Sequence, residues 1–291
     1  MNSGDYEVSL SYLLGPSGQT LIQNEVGYGN QLILDNAVLN KNLREIQREY
    51  SIRSSDDVDS KGRNFTVEME TGTGKTYVYL RTIFELNKKY GFKKFIIVPS
   101  IAIREGVLKS IEMTLDHFRD LYNNVPFSYF VFDSKRINQL RSFSTGNDLQ
   151  IMIINIDSFN KKDINVIHDT RDQLGGRRPI EYIQATTPIV ILDEPQNMES
   201  QIAKEAIESL HPLCTLRYSA THRDLYNPVY NLGPVRAFQM NLVKKICVAS
   251  VLAENDPAQA YLKIEDILRD PFRVKMQFYK SGNKGPNLTI G

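Results

Sequence analysis

Between Phe65 and Thr221 the chain alternates short apolar runs with stretches whose apolar positions recur at helical spacing. "FTVEM", "KKFIIVPS", "FSYFVF", "LQIMIINI", "TPIVILDE" and "TLRYSAT" are the runs, nearly continuous rather than alternating with polar residues. Strands buried on both faces produce that pattern. Lys75 to Tyr90, stopped by Gly91, and Ile101 to about Arg119 read as the intervening helices. Upstream, Leu39, Leu43, Ile46 and Tyr50 fall on one helical face and predict an amphipathic helix over 37–50, leading into the polar loop "SIRSSDDVDSKGRN". The rhythm predicts an α/β fold, a mostly parallel sheet with helices on both faces. Past Tyr226 it fades: "LVKKICVASVL" reads as one more strand, and the residues beyond it as an incomplete extension. The expected organisation is an N-terminal segment over 1–62, the α/β domain over 63–245 and the extension over 246–291.

Composition changes this picture little. At 41% hydrophobic and 24% charged, the chain is an ordinary globular one. A net charge of +1 gives no electrostatic footprint for nucleic acid, and Lys88-Lys89, Lys161-Lys162 and Arg177-Arg178 are scattered. Any case for DNA must come from motifs. Cys214 and Cys247 have neither a CxxC spacing nor a histidine nearby, which sets zinc aside and fits a reducing cytoplasm. The N-terminus lacks the basic start of a signal peptide, and no apolar run approaches the ~20 residues that span a bilayer. The expectation is a cytoplasmic protein with no membrane partner.

The chemistry concentrates in "METGTGKT", residues 69–76, between a strand and a helix. The usual phosphate loop is Gly-x-x-x-x-Gly-Lys-Ser/Thr, and Met69 stands at its first glycine. The remainder is intact: Thr71, Gly72, Thr73 and Gly74 form a turn whose N–H groups can converge on an anion. Lys75 is placed to reach the β- and γ-phosphates of ATP, and Thr76 to offer its hydroxyl to Mg²⁺. The helix starting at Lys75 adds its N-terminal dipole. In "TPIVILDEPQNM" an apolar strand ends in Asp193-Glu194, at the sheet edge where α/β folds bind ligands. Asp193 there suits Mg²⁺, mostly through water, and Glu194 the orientation and deprotonation of an attacking water. An acidic pair opening a helix is the plainer alternative. Ser219 and Thr221 in "LRYSATH" can sense a γ-phosphate, or can simply end a strand in turn chemistry.

"METGTGKT", "DEPQ" and "SATH" resemble motifs I, II and III of superfamily 2 helicases and translocases. More specifically, "FIIVPSIAIREGVLKS", "IMIINIDSF", "DEPQNMES" and "TLRYSATHR" are similar to the Res subunit of type III restriction–modification enzymes, from about Leu43 to Val251. The resemblance implies a RecA-like ATPase domain that uses ATP and Mg²⁺ and acts on double-stranded DNA. It also implies a partner, the modification methyltransferase (Mod) subunit, which supplies sequence recognition. By position, Gln47 matches a glutamine that reads adenine; a surface glutamine is the alternative, and both stay open. Ser100, Arg104 and Ser158 match residues that touch a DNA strand, contacts that position without reading bases.

The sequence departs from the family at "VYNLGPVRAF", where relatives tend to read like "VYRLDPVDAY", so Asn231, Gly233 and Arg236 put coupling past motif III in question. No second RecA-like domain, arginine finger or nuclease cluster of carboxylates and lysine is legible; Asp59-Ser60-Lys61 and Asp133-Ser134-Lys135 read as loop residues. The expectation is a motor portion that binds ATP and turns it over weakly alone. The competing expectation is an ATP-responsive module that docks the methyltransferase without catalysis.

Overall fold

The computed structural model describes residues 21–53, 58, 62–100, 104–133, 136, 138–155, 176–244, 261–269, 272–280 and 283–290. The chain divides into two units, 1–244 and 245–291. The first opens with a hairpin, β1 (Leu21–Gln23) and β2 (Tyr28–Asn30), and helix α1 (Asn36–Glu49). The alternation expected from sequence comes next. Its elements are β3 (Asn64–Met69), α2 (Lys75–Tyr90), β4 (Lys94–Pro99), α3 (Arg104–Leu121), β5 (Phe127–Val131), α4 (Asn138–Thr145) and β6 (Leu149–Ile153). After them come α5 (Pro179–Ala185), β7 (Ile189–Asp193), a 3-10 turn (Pro195–Met198), α6 (Gln201–Glu208), β8 (Cys214–Ser219), β9 (Pro228–Leu232) and α7 (Pro234–Gln239).

Strands β3 to β9 form one seven-stranded sheet in the order β5-β6-β4-β7-β8-β3-β9, and all its pairings are parallel. Side chains of a strand point alternately to its two faces, and the core divides accordingly. Phe95, Ile97, Ile151, Ile189 and Ile191 pack with α2 and α3 residues such as Leu80, Ile83, Phe84 and Phe118. Their strand neighbours Ile96, Val98, Met152, Val190 and Leu192 pack with Leu140, Phe143, Ile183 and Ile207 of α4, α5 and α6. This is the expected α/β architecture, a parallel sheet with helices on both faces. Each fully buried aliphatic side chain contributes about 1.5–3 kcal/mol, so the central strands hold the sheet's edges in place.

Helix α2 begins and ends at the residues expected from its pattern, because a left-handed glycine stands at each end: Gly74 at φ 87° and Gly91 at φ 74°, with the Gly91 N–H donating to the Asn87 carbonyl. Helix α3 is described from Arg104, residues 101–103 lying outside the described residues, and runs on to Leu121. Several strands were not foreseen, the β1–β2 hairpin among them. β9 lies beyond the point where the apolar rhythm fades, a short and half-exposed edge strand beside β3. The second unit contains three antiparallel strands, β10 (Tyr261–Arg269), β11 (Phe272–Lys280) and β12 (Asn283–Ile290), with register shifts at Ile264/Asp266 and Gln277/Tyr279. Of the strand expected over 242–252, residues 242–244 are not strand and the rest lies outside the described residues.

Candidate functional site

Sheet order assembles the motifs. β7, β8 and β3 are neighbours and parallel, so their carboxyl ends bring Asp193, Ser219 and Met69 to one edge. Pro99 of β4 pairs with Asp193 of β7, which puts Ser100 at the same edge. Residues far apart in sequence thus meet at the position where open α/β sheets bind ligands.

Met69, at the first glycine position of the loop pattern, is the buried last residue of β3. Its carbonyl lies 3.4 Å from Lys75 Nζ, which ties the strand end to the first residue of α2. The loop is pinned at its base: the Glu70 N–H donates to the Leu232 carbonyl, and the Thr73 hydroxyl donates to the Glu70 carbonyl at 2.6 Å. Gly72 (φ 79°) and Gly74 (φ 87°) adopt the left-handed region, which side chains with a Cβ rarely enter. Nothing lies within 4 Å of where a Cβ would sit on either, so the turn is open toward solvent. Thr71 is exposed, and Thr76 sits half-buried in the first turn of α2.

Lys75 Nζ is 2.7 Å from Glu194 Oε1, a pair whose side chains are only 10% and 17% exposed. Glu194 occupies φ 58°, ψ 59°, a left-handed conformation unfavourable for a non-glycine residue. Its other oxygen, Oε2, accepts from the Gln196 amide at 2.8 Å and lies 2.6 Å from Ser219 Oγ. That hydroxyl is also 2.8 Å from Gln196 Oε1 and 2.8 Å from the Thr221 carbonyl, so its single proton can serve one acceptor at a time. Burial pushes the Glu194 carboxyl up, but hydrogen bonds from Lys75, Ser219 and Gln196 together outweigh it and hold the group below the usual range. The carboxylate is ionised at neutral pH. Asp193 next to it behaves oppositely: burial first, then the Glu194 charge, push it up to about 6. Two adjacent carboxylates are thereby separated in character by their surroundings.

The remaining expected residues divide. Thr221 is exposed beside Ser219, and its N–H donates back to Ser219 Oγ at 3.1 Å. Arg104 is exposed at the start of α3. Ser158 lies outside the described residues. Gln47 is 1% exposed and donates to the Pro228 carbonyl at 3.0 Å, at the opposite end of β9 from the Leu232 carbonyl that meets the loop.

Three side chains carry contacts that the sequence pattern did not reveal. Gln196, the last residue of "DEPQ", bridges Glu194 and Ser219. Tyr79 donates to Asp193 Oδ2 at 3.3 Å. Arg217 on β8 pairs with Glu199 and lies 4.4 Å over the Tyr226 ring, which joins the segment after "DEPQ" to the strand carrying Ser219. An arginine in the otherwise apolar "TLRYS" was the available signal for that last contact. No set of three or more His, Cys, Asp or Glu side chains among the described residues could hold a metal by itself. The donors present, one carboxylate and one threonine hydroxyl beside the glycine turn, are hard oxygens of the kind that hold Mg²⁺ together with substrate phosphates. They fit that ion.

Residues 40–224 match the family described as type III restriction enzyme, res subunit. The EcoP15I Res subunit of Escherichia coli is 32% identical over 228 residues, covering 70% of this chain and 23% of that protein. The EcoPI Res subunit of Escherichia phage P1 is likewise 32% identical over 228 residues (71% and 23%), and the StyLTI Res subunit of Salmonella typhimurium is 34% identical over 221 (63% and 22%). The chain therefore spans less than a quarter of the length of these curated relatives. Among solved structures, the Sulfolobus solfataricus SWI2/SNF2 ATPase core in complex with dsDNA aligns with a TM-score of 0.36 and 12% identity, over 62% of this chain and 31% of that one. No described helix is long and apolar enough to cross a membrane.

Proposed function

Since the chain belongs to the type III restriction enzyme Res-subunit family and carries its helicase-like domain, we propose that it binds and hydrolyses ATP with Mg²⁺ as the motor portion of a DNA translocase. The observation that carries this reading is the convergence of Lys75, Glu194 and Asp193 at one sheet edge, with the base already ionised.

The glycine turn presents backbone N–H groups to the phosphates, and Lys75 reaches the β- and γ-phosphates by exchanging the Glu194 carboxylate for a stronger anion. Glu194, still held by Ser219 and Gln196, then orients a water and takes its proton. Thr76 and Asp193 hold Mg²⁺, which when bound neutralises charge on the transferring phosphate. Loss of the γ-phosphate changes the Glu194–Ser219 contact, and Thr221 passes that change toward the surface. Ser100, at the end of β4, and exposed Arg104 supply phosphate contacts to duplex DNA, with Ser158 as a third, while the methyltransferase partner reads sequence. Gln47 seats α1 on β9 through the Pro228 carbonyl, and an adenine contact from it requires that hydrogen bond to exchange.

Steady-state ATP hydrolysis by the chain, with Mg²⁺ and with or without duplex DNA, tests the reading against Glu194→Gln. Removal of the base should lower turnover by about 10²–10⁴ while ATP binding persists. Equal turnover in wild type and Glu194→Gln would refute the base, and ATP binding without turnover in either would favour a docking module instead.

A further inference from the structure

We infer that Tyr79 is a positioning residue for the cation: its hydroxyl fixes Asp193 through Oδ2 and leaves Oδ1 as the oxygen that meets Mg²⁺ or its water. This rests on the proposed nucleotide site and adds a residue to it. Tyr79 lies one helical turn beyond Lys75, so α2 presents both on one side. Facing them are consecutive residues at the end of β7: Lys75 takes Glu194 at 2.7 Å, and Tyr79 takes Asp193 at 3.3 Å. One helix thus holds both carboxylates, each through a single oxygen.

The Tyr79 ring is itself immobilised. It is fully buried, and the Tyr218 ring meets it at 5.6 Å with an interplanar angle of 64°, an edge contact. Tyr218 is tied in turn, its hydroxyl donating to Thr82 Oγ1 at 3.1 Å, one turn further along α2. A buried phenol needs a hydrogen-bond acceptor, and a phenylalanine would fill the same space without one. The hydroxyl, which also meets the Thr76 side chain, therefore serves orientation of the two groups assigned to the cation; packing alone does not require it. Groups that orient metal ligands in this way typically change metal affinity when removed, by about 10–100-fold, and a bond of 3.3 Å belongs at the lower end.

The test compares wild type with Tyr79→Phe by calorimetric titration of ATP, once in EDTA and once in saturating Mg²⁺, with Mn²⁺ paramagnetic resonance as a direct metal readout. Tyr79→Phe should bind metal-free ATP as wild type does and lose about tenfold in metal affinity in the presence of ATP. Tyr218→Phe removes the Thr82 hydrogen bond and keeps the Tyr79 hydroxyl, so it should lower the melting temperature and leave metal affinity alone. An unchanged Mn²⁺ affinity in Tyr79→Phe overturns the inference, as does an equal loss in both variants, which marks a packing effect. A wild-type chain that binds no ATP overturns the parent reading before any variant is measured, so the two failures are distinguishable.

Discussion

Two lysines, one half-buried and one fully buried, stand at opposite edges of the same parallel sheet. At the carboxyl edge Lys75 meets a carboxylate, Glu194, at 2.7 Å on a left-handed turn. At the amino edge Lys94, the first residue of β4, is 0% exposed and donates to the carbonyls of Phe143 and Gly146 where α4 ends. Its ammonium also lies 5.5 Å over the Phe143 ring. Lys94 has neutral partners, and burial pushes it down to about 8, with Lys93 adding to the fall and Asp148 opposing it. A lysine capping a helix end with fixed carbonyls has nothing to exchange; a lysine facing a carboxylate can trade it for a phosphate. Burial alone therefore does not mark function, whereas the mobility of the partner does.

Replacement of each lysine by alanine sharpens the contrast most. Lys75→Ala should weaken ATP binding by about 100-fold or more, since charge-assisted bonds to two phosphates are lost at about 1.5–3 kcal/mol each. Calorimetry should find the affinity of Lys94→Ala unchanged. Loss of ATP binding in a folded Lys94→Ala would break the distinction.

Stability should reverse the order. Lys94→Ala removes a buried stem and leaves the Phe143 and Gly146 carbonyls without their donor, a cost of about 2–4 kcal/mol after the relief of a desolvated charge. Lys75→Ala should lower the urea midpoint by less. It takes the ion-pair partner from Glu194, which Ser219 and Gln196 still hold.

The legibility of the two ends differed for a physical reason. The site edge was readable because it is built from local rules: glycines at φ 79° and 87°, a lysine and threonine at fixed offsets, and acids closing an apolar strand. The strands β4, β6 and β7 were readable because burial on both faces makes them continuous apolar runs. Lys94 opened such a run and carried no mark of burial, since its partners Phe143 and Gly146 lie 49 and 52 residues away. Tyr79 was silent for the same reason, its acceptor being 114 residues distant. β9, a half-exposed edge strand, lacks the double burial that makes a strand visible. Gln47, open between two readings in sequence, is buried because α1 turns it toward Pro228.

The smallest expected effect is the most specific to the amino edge. The unfolded chain keeps the Lys94 proton up to its usual 10.5, whereas the folded chain releases it near 8. Between those values the unfolded state carries more protons, so the Lys94 contribution makes the fold more stable as pH rises and less stable as pH falls through the same window. At about 1.4 kcal/mol per unit, the gain from pH 8 to 9.5 is on the order of 1–2 kcal/mol. Cys214 works against it, since burial pushes that thiol up to about 12 from 9, and stability from this source is lost once the unfolded thiol ionises. The difference between wild type and Lys94→Met removes that common term, because methionine keeps most of the stem without the charge. Urea unfolding of both proteins at pH 8 and 9.5 should show wild type gaining on the order of 1–2 kcal/mol on the variant. Parallel pH profiles would mean that the two carbonyls hold the Lys94 ammonium as well as water does, and its burial would then carry no electrostatic penalty to set it apart from Lys75.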